Sequence, residues 1–168
     1  MMMAGKGRFT IRALRDADLP SVKSMIHRTI AACYPGHYGP EAVRFFLDYH
    51  SERAIRQDAR QGHTVVLARA GRVLGTGTLL GNEIKRVFVD PGSQKQSLGR
   101  LLMHRLEETA TARGLAVVKL DASPPSKAFY DRLGYVAVEE TSRPVEGGRL
   151  DYFRMQKVLT MSSRVSTE

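Results

Sequence analysis

Cys33 is the only cysteine among the 168 residues. One thiol cannot close an internal disulfide, so a reducing compartment, the cytoplasm, is expected. No apolar run approaches the roughly 20 residues of a membrane-spanning helix, so no membrane partner is expected. Residues 1–8 lack the apolar centre of a secretion signal. Internal repeats and low-complexity stretches are also missing. Acidic residues are in the minority, 17 against 26 Lys and Arg, for a net charge of +9. That surplus favours polyanionic partners. Because the basic residues are scattered rather than gathered in runs, a phosphorylated cofactor is favoured over nucleic acid.

The length suits one domain with an ample core. It is expected over residues 9–160, between flexible tails at 1–8 and 161–168. Phe9–Arg12 reads as a strand. Asp16 to Pro20 opens a helix with an apolar face of Leu19, Val22, Met25, Ile26 and Ile30, which stops at Pro35-Gly36. A second helix carries Val43, Phe46, Leu47 and His50 on one face. Ser51 caps a third that runs to Gln61. The period then changes to that of strands. His63–Ala70, Val73–Leu80 and Glu83–Val89 form an antiparallel meander joined by glycine turns. A helix with Leu98, Leu101, Leu102 and Leu106 on one stripe and a buried type of strand, Ala116–Asp121, complete a βαβ crossover. A short helix around Phe129 and Tyr130 follows, then a strand at Tyr135–Glu139. A polar loop at Thr141–Gly148 and a last strand at Asp151–Leu159 end the fold.

The most informative stretch lies between the third meander strand and the next helix. Val89-Asp90-Pro91 ends the strand, and Gln94 to Gly99 leads into the helix. Strand, loop and helix N-terminus together cradle phosphate. The first N–H groups of a helix have no partner inside it, and its dipole adds roughly half a positive charge there.

Three segments taken in order resemble the GNAT superfamily of N-acetyltransferases. Gln94-Lys-Gln-Ser-Leu-Gly99 is similar to that family's acetyl-CoA loop, Phe129-Tyr-Asp-Arg-Leu-Gly-Tyr135 to its aromatic segment, and Gly75-Thr-Gly77 to the strand before the motif strand. The resemblance spans about Phe9 to Leu159. It implies an α/β fold with a mixed, mostly antiparallel sheet of six to seven strands, about four flanking helices and a splayed central parallel pair.

It also implies an activity: transfer of an acetyl group from acetyl-CoA to a primary amine, by direct attack in a ternary complex and without a metal. Backbone groups of Val87, Phe88 and Val89 would meet the pantetheine arm. Gln94, Lys95, Gln96, Ser97, Leu98, Gly99, Arg100 and Leu101 would hold the pyrophosphate. Ser123 and Ser126 stand where many members carry Asn and Ala, so a serine hydroxyl replaces an amide contact there. Tyr130 occupies the position of the general acid. Glu83 heads the motif strand, at the separation from Gln94 at which histone-acetylating members carry their base. His37 and His50 are rival bases.

Tyr34, His37 and Tyr38 fall under the helices that roof the acceptor, a small molecule or a peptide. Phe46 and Cys33 read as core. Glu41, Asp48, Glu52 and Asp58 are carboxylates near that roof. Ser97 replaces a family glycine, so it either strains a left-handed position or enters the helix at negative φ with its hydroxyl as a cap; the second is expected. The resemblance also implies a homodimer through the late hairpin as one arrangement. A non-catalytic CoA sensor or interaction module on the same fold is the alternative function.

Overall fold

The computed structural model describes residues 7–160. The expected tails therefore lie outside the described residues, apart from Gly7 and Arg8. Seven strands form one sheet in the order β1-β2-β3-β4-β5-β7-β6. They are β1 (Thr10–Ala13), β2 (His63–Arg69), β3 (Arg72–Leu80), β4 (Glu83–Val89), β5 (Val117–Ala122), β6 (Val136–Val145) and β7 (Gly148–Val158). Among the described residues five α-helices flank them: α1 (Leu19–Cys33), α2 (Pro40–Tyr49), α3 (Glu52–Gln61), α4 (Leu98–Ala112) and α5 (Lys127–Arg132).

The two faces of the sheet carry separate cores, as alternation in the strands requires. Val65 and Leu67 of β2 point to one side, into a cluster with Leu98, Leu102, Met103 and Leu106 of α4. Val66 and Ala68 point to the other, into a cluster with Leu19, Val22, Met25, Ile26 and Ile30 of α1 and Ile55 of α3. Helix α3 starts where the chain sets it: Ser51 Oγ accepts from the Ala54 N–H at 3.2 Å, filling one of the bonds a helix start leaves open. Gly75 and Gly77 let α4 lie close on β3. A Cβ at Gly75 would stand 2.9 Å from Leu102 Cδ1, and one at Gly77 2.8 Å from Leu106 Cδ1.

Two features of the sheet position the site. First, β4 and β5 are parallel neighbours with a single register pair, Glu83↔Lys119, so they part beyond it. This is the splay that the resemblance implied. Second, β4 bulges against β3. Its register jumps between Thr76↔Phe88 and Thr78↔Lys85, which leaves Arg86 and Val87 without partners on β3.

The segment Thr141–Gly148 is not a loop. Strands β6 and β7 continue through it in register to Val145↔Gly148. None of the β6 residues is buried, and a period-2 signal needs one buried face. Arg149 donates to Ser142 Oγ across the ribbon, and Pro144 is tolerated because β6 is the edge strand of the sheet.

Candidate active site

The loop after β4 is tied down from below. Asp90 is 3% exposed. It accepts from the Gly92 N–H at 3.2 Å and from Arg28 of α1 at 2.6 Å. Above it, the first backbone bond of α4 is Leu101 N–H to Ser97 carbonyl, at 3.1 Å. The N–H groups of Leu98, Gly99 and Arg100 thus have no acceptor within the helix. These residues line a cavity of about 580 Å³ together with Val87, Val89, Gln94, Lys95, Ser97, Phe129, Tyr130 and Arg132, among others. Phe129 seals one wall, and a Cβ on Gly99 would approach its ring to 3.2 Å. Free helix-start donors, two or three cations and room for a large anion fit the pyrophosphate of a CoA thioester.

Ser97 does not cap. Its backbone is left-handed, with φ 60 and ψ 19, and its hydroxyl makes no cap bond. Lys95 is left-handed too, with φ 65. The loop therefore makes left-handed turns at two non-glycine residues, and the expectation of negative φ is corrected. A non-glycine residue held there costs about 1–2 kcal/mol. Ser97→Gly is accordingly expected to raise stability by about 1 kcal/mol, read as an increased denaturation midpoint at unchanged m-value.

On the opposite face of the splay lies a second cavity, of about 430 Å³. Tyr34, Tyr38, Phe45, Phe46 and Tyr49 form its roof, and Glu83 and Asp121 stand on its strand floor. The rings lock together: Tyr34 meets Phe46 edge-on at 4.8 Å, and Tyr38 lies 5.2 Å from Phe46. Burial raises the pKa of both Tyr34 and Tyr38, so both hydroxyls stay protonated donors. Phe46 is thus as much cavity wall as core. Cys33 is only half-buried, with Gln94 Nε2 at 3.8 Å from its sulfur.

The two cavities share Val87, Ser126 and Tyr130. Tyr130 sits on α5 with its ring 5.0 Å from that of Phe129. Burial pushes its phenol up to about 12. Ser123 and Ser126 hydroxyls share a hydrogen bond at 2.8 Å beside it.

The other sequence candidates separate. Phe88 turns its side chain away from the cofactor cavity into the α1 core, 8% exposed, while its backbone faces the splay. Gln94 spends its side-chain amide on the Val89 carbonyl, at 3.1 Å. Gln96 and Leu101 are exposed and are not among the residues lining either cavity. The same holds for His37, which is exposed beyond the roof. His50 is buried, and burial together with the nearby Arg86 charge pushes its imidazole down to about 3. It cannot be protonated near neutral pH and is a poor base. Asp58 is not available to an amine either, because Arg86 and Lys85 hold it at 2.8 and 3.1 Å.

Sequence reasoning missed Asp121. Its alternation in β5, opposite in phase to the buried Val118, Leu120 and Ala122, was the signal that places it on the floor of the second cavity. Partial burial holds its carboxyl above the usual range despite Arg154, 3.9 Å away.

A family model described as an acetyltransferase (GNAT) domain matches residues 35–159, spanning the roof, both cavities and the last strand. The chain belongs to the GNAT family and is an acyltransferase. It is 27% identical over 158 residues to the ribosomal protein bS18-alanine N-acetyltransferase of Escherichia coli, covering 90% of this chain and 99% of the relative. In fold it is similar to a GCN5-related N-acetyltransferase from Rhodopseudomonas palustris, with a TM-score of 0.83 and 22% identity over 95% of this chain and 99% of that one. It is also similar to the PaiA N-acetyltransferase of Thermoplasma acidophilum in complex with coenzyme A, with a TM-score of 0.72 and 18% identity over 90% and 99%. Among the described residues, no helix is long and apolar enough to cross a membrane.

Proposed function

We propose that this protein transfers the acetyl group of acetyl-CoA to a primary amine by direct attack in a ternary complex in the cytoplasm. The observation that carries the reading is the meeting of two cavities, one on each face of the splay, at Val87, Ser126 and Tyr130. A phosphate-holding site and an amine-receiving site open on one point from opposite sides. That is the geometry of direct transfer between two bound substrates.

Acetyl-CoA, when bound, supplies an activated thioester carbonyl. The chain does the rest. The helix start, Lys95, Arg100 and Arg132 hold the phosphates, and free backbone groups on the β5 side of Val87, Phe88 and Val89 receive the amide arm. An N–H in the unpaired stretch at Val87 stabilises negative charge on the carbonyl oxygen as it develops. The acceptor arrives as an ammonium, with a pKa near 8 for a peptide N-terminus and near 10 for an alkyl amine, about 4 to 6 units above an ordinary carboxylate. The aromatic roof narrows that gap, since removal from water lowers an amine and raises a carboxyl. Glu83 takes the proton, through a water, and Tyr130 donates to the departing sulfur.

A second reading of the base is favoured by register. Glu83 is level with Lys119, so Asp121 stands two residues further along, nearer Val87 and Ser123. On this reading Asp121 takes the proton directly.

The acceptor is an amine on a peptide or a small molecule, and the bS18-alanine relative makes a peptide N-terminus the first choice to test. Thiol release should be followed with acetyl-CoA and a panel of N-terminal alanine peptides, amino sugars and simple amines. Turnover on at least one class is expected. Failure of calorimetry to detect CoA would overturn the reading. Tight CoA binding without turnover on any class would leave a sensor in its place.

A further inference from the structure

Arg86 has a left-handed backbone, with φ 54, in the middle of β4. It sits in the register jump beside Val87, where the two cavities meet. Such a conformation costs an arginine about 1–2 kcal/mol, so its surroundings must hold it there. They do. The residue is 8% exposed, and its guanidinium is gripped from two sides. Nε and Nη2 donate to Asp58 of α3 at 3.1 and 2.8 Å. Nη1 reaches the Tyr49 carbonyl at the end of α2 at 3.2 Å and His50 Nδ1 at 2.6 Å. An arginine can only donate, so His50 accepts at Nδ1 and carries its proton on Nε2. The Tyr49 ring lies 5.0 Å from the guanidinium carbon. The His50 ring stands edge-on to Phe88, 5.0 Å away. Lys85 Nζ sits on the same Asp58 oxygen at 3.1 Å.

One buried side chain thus joins the end of the roof helix, the helix behind it and the bulge of the reacting strand. With its donors engaged in the protein, it has little left for a substrate. It belongs to the acceptor cavity and not to the cofactor cavity.

We infer that Arg86 and Asp58 form a positioning clamp for the acceptor site, holding the β4 bulge open and fixing the aromatic roof at its height above the reaction point. The inference rests on the acceptor cavity having the role given to it above. The clamp needs a planar, forked cation, because it must meet a carboxylate, a carbonyl and an imidazole at once; a lysine carries the charge but not the fork.

The experiment uses the full chain with Arg86→Lys, Arg86→Met, Asp58→Asn and the double variant Arg86→Met/Asp58→Asn. Three quantities are read: kcat/KM for the amine, CoA affinity by calorimetry, and the titration of His50 by NMR. Arg86→Lys and Arg86→Met are expected to lower kcat/KM for the amine by about 10-fold or more, with CoA affinity within about 2-fold of the parent. The double variant is expected to be no worse than Arg86→Met alone, since the two residues act as one unit. His50 should titrate at a higher pH in Arg86→Met, because a cation no longer opposes its proton.

Equal losses in amine kinetics and CoA affinity, or an unchanged amine kcat/KM in folded variants, would overturn the clamp. So would an unmoved His50. If the parent protein shows no turnover at all, the acetyl-transfer reading fails on its own, while the His50 titration still reports whether Arg86 fixes the imidazole.

Discussion

Neutralising the carboxylate floor of the acceptor cavity is expected to lower kcat/KM for the amine by about 10²-fold, the size of effect a positioned base contributes. The test compares Glu83→Gln, Asp121→Asn and both together. Each replacement keeps the shape and removes the charge. Both residues line the same cavity, so their effects should couple, and the double variant should fall short of the product of the single losses. The larger single loss names the residue that takes the proton. Register favours Asp121 for direct transfer, whereas Glu83 would work through a water. The pH dependence carries the sign. A base must be deprotonated, so the parent kcat/KM should drop as pH falls through its carboxyl pKa, which partial burial has raised for Asp121. In the variant lacking the base that acid limb should be lost. Single losses below about 3-fold for both residues would remove a carboxylate base from the mechanism altogether. His50 adds no limb near pH 6.5, because its imidazole is pushed down to about 3.

Tyr130→Phe is expected to lower kcat by about 10²-fold with acetyl-CoA affinity nearly unchanged, since the ring stays and only the donor goes. The phenol is pushed up to about 12 by burial. It is therefore a fully protonated donor across the working range and contributes no limb to the pH–rate profile below about pH 10. The same value sets how it works. An ordinary thiol has a pKa near 8.5, and burial raises phenol and thiol alike, so this tyrosine stays the weaker acid and complete transfer to a thiolate is uphill. Its advantage is a strong hydrogen bond to the sulfur as charge appears, with the proton following as the amine releases its own. An unchanged kcat would take Tyr130 out of the chemistry and leave it as packing for Phe129.

What the sequence disclosed, and what it hid, divides by distance along the chain. Helix starts at Pro20 and Ser51, the βαβ crossover and the phosphate loop are local patterns. Propensity, capping and period carry them. The clamp is not local. Arg86 meets Asp58 across 28 residues and His50 across 36, and nothing near any of the three marks them as partners. Asp58 looked like a free carboxylate for the same reason. The backbone of Ser97 was misjudged because a serine before a helix is ordinarily a cap at negative φ. Here the loop's path to the phosphates decides the torsion, and the side chain yields. Only the Thr141–Gly148 end of the β6–β7 ribbon was read as a loop, because no residue of β6 is buried and alternation there has nothing to alternate between. Asp121 could have been found: strict in-out phase through Val117–Ala122 puts Val117, Lys119 and Asp121 on the face opposite the core, and Asp121 is the one carboxylate among them.

The lone rung between β4 and β5 makes the sheet two ribbons on one axle. Leu98, Leu102, Met103 and Leu106 of α4 are that axle, packed against Leu74, Leu79 and Ile84 on one ribbon and Val118, Leu120 and Met155 on the other. A ligand lying in the gap would act as an eighth strand, supplying amides where the protein withholds its own. Filling the site is then part of completing the fold. Resistance to heat and to amide exchange along the inner edges of β4 and β5 would rise with the cofactor level itself.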